Sequence, residues 1–284
     1  MSEHEAQPLI ITARAPDGPG LVAELASAVA HAGGNILDVG QHSDPEASWF
    51  GCRLEVDDEV DRAGLSDQLT ELEGRRGFRF ELHEAGERQR VALVCSKTLH
   101  CASDLVARAS IGALACSIDA LVSDSTSGEE LAQRHEIAFH HVPVGDDRAA
   151  QEEALGRVLE AIQPDLVVLA RYMRVLPAWL CDAYEGRMIN IHHSFLPAFA
   201  GAGPYKRAHE RGVKLIGATA HYVTAELDAG PIIAQDVERV SHRDSVDDLI
   251  RRGADVERSV LAAAVRLHLE HRVMVFGNRT CVFD

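Results

Sequence analysis

Apolar positions along the chain recur at strand and helix periods in two blocks that flank a polar break. Residues 9–13 (LIITA) form an apolar run that stops at the turn-forming PDGPG of 16–20. Leu21, Leu25, Ala28 and Val29 then fall at helical spacing, which predicts an amphipathic helix over 21–32, stopped by Gly33, Gly34 and Asn35. Alternating segments at 36–42 and 49–56, joined by SDPE at 43–46, predict a hairpin. A helix over 63–72 and a strand over 78–82 complete a β-α-β-β-α-β order, the split-βαβ, ferredoxin-like arrangement.

Beyond the polar break AGERQR at 85–90 the pattern changes. Near-continuous apolar runs at 91–95, 116–122, 137–141, 166–169 and 188–191 predict strands buried on both faces, as in parallel sheets. They alternate with predicted helices over 101–109, 127–134, 151–162 and 178–183, the order of a Rossmann-like α/β domain with a mostly parallel sheet. Strands at 215–223 and 232–240, a long helix over 246–271 and a hairpin (273–276 and 280–283, around Gly277-Asn278) follow. The expected domains are 1–86 and 87–284, the terminal hairpin included in the second.

Composition narrows the function classes. With hydrophobic residues at 46% and charged residues at 25% of 284, the chain has an ordinary globular make-up. It is long enough to bury a core without metal or disulfide support. Asp and Glu number 44 against 28 Lys and Arg, a net charge of -16 that offers phosphates no overall attraction, so nucleic acid is not an expected partner. Cys52, Cys95, Cys101, Cys116, Cys181 and Cys281 form no C-x-x-C pair and read as small hydrophobes of a reducing compartment. MSEHEAQP lacks the apolar segment of a signal peptide, and no apolar run approaches the about 20 residues that span a bilayer. A cytoplasmic protein without a membrane partner is expected.

The strongest chemical signal is NIHHSFLP at 190–197, placed where an apolar strand ends. Ligands of open α/β sheets gather outside such carboxyl ends. Residues two apart on a strand share a side, so Asn190 and His192 can face one cleft while Ile191 packs inward. Further on, AELDAGPII at 225–233 sets Asp228 in a loop before another strand. Each of the three has a plain structural explanation alone: a strand-end turn residue, a satisfied histidine, a turn former. Together, amide, imidazole and carboxylate suit acyl chemistry, in which an oxyanion needs donors and water needs a base. No G-x-S-x-G elbow or activated cysteine points to a covalent nucleophile. His140-His141 and His192-His193 put neighbouring rings on opposite strand faces, and no H-E-x-x-H occurs, so neither metal nor cofactor is expected.

The segments NIHHSFLPAF, GATAHYV and LDAGPIIAQD resemble those of the folate-dependent formyltransferase fold, and within it most closely the formyltetrahydrofolate deformylases. HCASDLV, ARYMRVLP and FGNRT are similar to the same family, and residues 17–50 resemble its N-terminal ACT domain. The resemblance implies hydrolysis of 10-formyltetrahydrofolate to formate and tetrahydrofolate, within one-carbon and purine metabolism. It implies a catalytic Asn190, His192 and Asp228, and a pterin-binding loop of Arg171, Tyr172, Met173, Arg174, Val175 and Leu176. It further implies a dimer or tetramer of like chains, with an amino-acid effector near Asp17, Gly18, Gly20 and Asn35 of the ACT domain. Two positions depart from the family pattern. Ser123-Asp124-Ser125-Thr126 replaces a histidine-containing segment, and Gly203 replaces a basic residue. The turn at 96–103 (SKTLHCAS) has no glycine to cradle a phosphate, which favours water over a phosphorylated amine as acceptor. Formyl transfer to an amine, and a non-catalytic folate- or amino-acid-binding regulator, are the alternatives.

Overall fold

In the computed structural model, which describes residues 7–196 and 204–283, the first apolar run extends to strand β1 (Leu9–Pro16). Leu9, Ile11, Ala13 and Ala15 point to one side and pack with Leu21, Leu25, Ala28 and Val29 of α1 (Leu21–His31). Then come β2 (Ile36–Asp44), β3 (Trp49–Val56), α2 (Arg62–Arg76) and β4 (Arg79–Glu84), the expected β-α-β-β-α-β order. Their sheet runs β2-β3-β1-β4, antiparallel at every pairing. Helix α2 outruns its apolar pattern because Arg75 and Arg76 in its last turn form ion pairs with Glu24 of α1.

The second unit contains β5 (Gln89–Cys95), α3 (His100–Ser110), β6 (Cys116–Ser123), α4 (Glu129–Arg134), β7 (Ala138–His141), α5 (Arg148–Ile162) and β8 (Leu166–Leu169). It continues with α6 (Ala178–Ala183), β9 (Met188–His192), α7 (Pro204–Arg211), β10 (Leu215–Tyr222), β11 (Ile232–Arg239) and α8 (Val246–Leu269). The seven-stranded sheet has the order β11-β10-β9-β8-β5-β6-β7. It is parallel from β9 through β7 and antiparallel at β10 and β11. Connections run from β5 outward through β6 and β7, then restart on the other side at β8, so the strand order reverses between β5 and β8. A crevice opens at such a reversal, outside the carboxyl ends of the strands. Helix α7 has no counterpart in the sequence pattern. Its strongly polar surface meets a small cluster of Ile216, Val240 and Leu249 through Ala208 and Tyr205 alone, too few apolar positions to register as a period.

Strands β12 (Val273–Phe276) and β13 (Arg279–Val282) form the expected hairpin, but its assignment to the second domain is corrected. Glu270–Asp284 packs with Met1–Glu87 as one compact unit, and Arg88–Leu269 forms the other. The cause lies on the sheet face turned away from α1 and α2. There Trp49 stacks on Phe276 at 4.3 Å between centroids, and His83 stacks on His271 at 3.5 Å. Arg53, 3% exposed, donates from Nε to the Glu270 carbonyl at 3.3 Å. The six cysteines are free thiols, five of them buried and Cys281 partly so. Among the described residues no helix is long and apolar enough to cross a membrane.

Candidate active site

Strand β9 places Asn190 and His192 on one side and buries Ile191, 3% exposed, on the other. Its antiparallel partner β10 sets His221 opposite Asn190 and Thr219 opposite His192. His221 is 2% exposed, and its Nδ1 lies 2.9 Å from the Tyr222 carbonyl. A carbonyl only accepts, so Nδ1 carries the hydrogen and Nε2 of the neutral ring accepts from Asn190 Nδ2 at 3.2 Å. His221 lies within GATAHYV but is not among the residues that the sequence pattern points to. The available signal was a polar ring inside an apolar strand, and it acquires meaning only from the register. Thr219 holds the turn after His192: its hydroxyl donates to the Ser194 carbonyl at 2.9 Å and accepts from the Leu196 N–H at 3.0 Å.

Asp228 enters from the loop between β10 and β11 in a left-handed conformation, φ 55°. Gly230 permits that entry, since a Cβ there would stand 1.9 Å from the Tyr222 carbonyl oxygen. Asp228 Oδ2 lies 3.2 Å from His192 Nδ1, and Oδ1 lies 3.7 Å from His221 Nε2. The hydrogen bond of His192, with the imidazole of His221 nearby, outweighs burial and holds the Asp228 carboxyl far below the usual carboxylate range. Asn190, His192 and Asp228 therefore converge as one constellation with His221 at its base. His192 Nε2 is buried and has no hydrogen-bond partner among the described residues. Pro197, Gly201 and Gly203 lie outside the described residues.

The loop 171–176 leaves β8 with Arg171 at φ 65°. Asp124, whose side chain is 4% exposed, accepts from Arg174 Nε at 2.9 Å and from Ser96 Oγ at 3.1 Å. Ser96 Oγ accepts in turn from the Met173 N–H at 3.2 Å. The segment 123–126 that departs from the family pattern thus ties together the ends of β5, β6 and β8. Met173 and Val175 keep apolar side chains 56% and 46% exposed, while burial pushes the Tyr172 hydroxyl up to about 12.

The four expected effector residues do not form one site within a chain. Asp17 accepts from Ser43 Oγ at 2.9 Å, at the end of the sheet where Pro16 and Asp44 both pair with Trp49. Gly18 shares its turn, and Gly20 caps α1. Asn35 exchanges hydrogen bonds with Asp57 at 2.9 and 3.0 Å, at the opposite end, where Leu9 and Ile36 both pair with Val56. The strand length between them is roughly 25 Å.

His193 packs beside the constellation, its ring centroid 5.2 Å from that of His192. Burial first, then the neighbouring Arg171 and His192, lower its imidazole to about 4. The unfolded chain therefore binds a proton that the folded chain refuses, and stability falls as pH drops below about 6.5. Between pH 7 and pH 5 the loss from this residue is about 2 kcal/mol. Urea unfolding at the two pH values will show that slope in the native protein and a shallower one in His193→Gln. Equal slopes would remove His193 as its source.

Residues 7–83 match the ACT domain family, and residues 89–265 match the Formyl transferase family. Fold and site together define a formyl transferase domain joined to an N-terminal ACT domain. A formyltetrahydrofolate deformylase of Synechocystis sp. is 47% identical over 272 residues, covering 94% of this chain and 95% of that protein. One of Bacillus subtilis is 44% identical over 278 residues, covering 95% and 91%. The crystal structure of a formyltetrahydrofolate deformylase from Pseudomonas syringae pv. tomato gives a TM-score of 0.95 at 42% identity, covering 100% of this chain and 96% of that one. The chain belongs to the formyltetrahydrofolate deformylase family.

Proposed function

We infer that the chain hydrolyses 10-formyltetrahydrofolate to formate and tetrahydrofolate by direct attack of water on the formyl carbon. Within this family, the observation that carries the reading is the unpartnered, buried Nε2 of His192 beside Asn190 and Asp228. With Nδ1–H given to Asp228, neutral His192 has its lone pair on Nε2. That nitrogen takes a proton from water as the water oxygen bonds to the formyl carbon. One Asn190 N–H is engaged by His221, and the second is left for the oxyanion. Collapse breaks the bond between carbon and N10, and the proton on His192 passes to the leaving nitrogen, so formate and tetrahydrofolate account for all atoms. A carboxylate held far below its usual range is a weak base, so Asp228 orients His192 and stabilises its charged form, and water activation falls to His192.

The pterin is assigned to the loop Arg171–Leu176, a reading supported by the exposed apolar side chains of Met173 and Val175 beside Tyr172. No metal or cofactor takes part in these steps. An amino-acid effector at the ACT domain, assembly with like chains and a cytoplasmic place in one-carbon and purine metabolism complete the proposal. In oligomers a site near Asp17 and Gly20 would need residues of a second chain, because Asn35 lies at the other end of the sheet. Purified protein given 10-formyltetrahydrofolate and no amine should release one formate for each folate consumed. Folate bound without formate release would overturn the reading.

A further inference from the structure

Three adjacent parallel strands end beside the loop Arg171–Leu176, and a side chain from the farthest of them governs its middle. Asp124 is the first residue past β6, Ser96 is the first past β5, and the loop begins two residues past β8. In the sheet β5 lies between β8 and β6. Neighbouring strands stand about 4.8 Å apart, so about 10 Å separates β6 from β8, too far for an aspartate to meet the loop backbone unaided. Ser96 bridges the gap: its Oγ donates to Asp124 Oδ2 at 3.1 Å and accepts the Met173 N–H at 3.2 Å. Arg174 Nε donates to the same Oδ2 at 2.9 Å. One carboxylate oxygen therefore fixes two consecutive loop residues, one through its backbone and one through its side chain.

The loop needs such a hold. Tyr172 and Leu176 pack against the core cluster that contains Val94, Val122 and Leu169. Between them, Met173 and Val175 are 56% and 46% exposed. Burial thus secures the ends of the loop and leaves 173–175 without apolar support. Arg171 opens the loop at φ 65°, a conformation that a non-glycine residue keeps only where its surroundings hold it. A second tie runs from Arg148 Nη2 to the Val175 carbonyl at 3.1 Å, but the Arg148 side chain is 68% exposed and is shared with Glu152. Exposed ties contribute little, whereas Ser96 is buried and the Asp124 side chain is 4% exposed. Removing a buried acceptor also strands its donors, so the Asp124 hold is the stronger of the two. Among the described residues, Asp124 has no hydrogen bond or ion pair with Asn190, His192, His221 or Asp228. A group so placed acts on binding, because a loop already held in its bound form spares the cost of ordering it when substrate arrives.

We propose that Asp124, acting through Ser96 and Arg174, is a positioning residue that holds 173–175 in the form that receives the pterin. It sets the affinity for the folate without entering the hydrolytic steps, and the proposal rests on the deformylase reading. Asp124→Ala should raise KM for 10-formyltetrahydrofolate about ten- to hundredfold, with kcat within about threefold of native. Ser96→Ala should raise KM by a smaller factor. The double variant should cost less than the product of the two, because both changes break one chain of hydrogen bonds. Asp124→Asn should stay within about fivefold of the native KM, since the amide oxygen offers two lone pairs to the same two donors. The dissociation constant of tetrahydrofolate, measured by calorimetry, should follow KM through the series. Hydrogen exchange at the Met173 N–H should quicken in both single alanine variants without any folate present. A folded Asp124→Ala with native KM, a loss confined to kcat, or faster exchange without lost affinity overturns the proposal. So does an Asp124→Asn as weak as Asp124→Ala, which would make charge and not position the cause. If Asp124→Ala does not fold, Ser96→Ala decides by the same readings: raised KM with faster Met173 exchange supports the proposal, and native KM overturns it. A native protein that neither binds tetrahydrofolate nor releases formate refutes the deformylase reading instead.

Discussion

Replacing Asp228 with Asn will lower kcat for formate release by about 10³-fold while the protein stays folded. Asn is the substitution that isolates the charge, because it has the same shape and tolerates the left-handed conformation that φ 55° requires. What disappears is the charged, acceptor-only partner of His192 Nδ1–H, 3.2 Å away in the native protein, replaced by an amide that can donate as well as accept. The imidazole then loses its fixed tautomer, and Nε2 no longer presents a lone pair to water for most of the time. The charge that forms on His192 in the transition state also loses its counter-charge. The low Asp228 pKa stabilises the native fold above the unfolded value of about 3.9, and this contribution fades as pH falls below it. The stabilities of native protein and variant therefore converge in acid. Single-turnover rates, with circular dichroism as the control for folding, measure the effect. A variant retaining more than about a tenth of native kcat would show that Asp228 does not orient the base.

His192→Ala will cost more, about 10⁴-fold in kcat, with a KM change of only a few fold. In the proposed steps the same nitrogen serves as base for water and as acid for N10, so its loss interrupts both halves of the reaction. Asn190 remains, still held by His221, and oxyanion stabilisation alone should support a small residual rate. Because the deletion leaves a cavity the size of the ring, added imidazole should restore part of the activity. A loss confined to KM, or a kcat within about tenfold of native, would remove His192 from the chemistry.

The candidate site was legible where its logic is local. Alternation along β9 put Asn190 and His192 on one side of the strand without knowledge of any neighbour. The Asp-Ala-Gly-Pro turn marked a carboxylate at a strand entrance. His221 was not legible, since its role depends on standing opposite Asn190 across an antiparallel pairing of β9 with β10. Asp124 read as a departure from a family pattern, yet it joins Ser96 to Arg174 across three strand ends. The effector residues came from the resemblance to ACT domains, and the sheet sets Asn35 at the opposite end from Asp17 and Gly20.

Hydrophobic periodicity by itself determined the order of strands and helices apart from α7, the two-block plan and the spacing of Asn190 and His192, because these depend on neighbours within a few turns. Tertiary structure alone decided what meets across long separations. It folded Glu270–Asp284 back onto the first unit through Trp49, Arg53 and His83. It brought His100, Arg171 and Tyr205 to Glu257. It also turned Asp228 toward His192 by a backbone conformation that only Gly230 beside the Tyr222 carbonyl allows. The reason is physical: period and turn residues act along the chain, whereas register, burial and ion pairing act between segments whose separation carries no periodic signal.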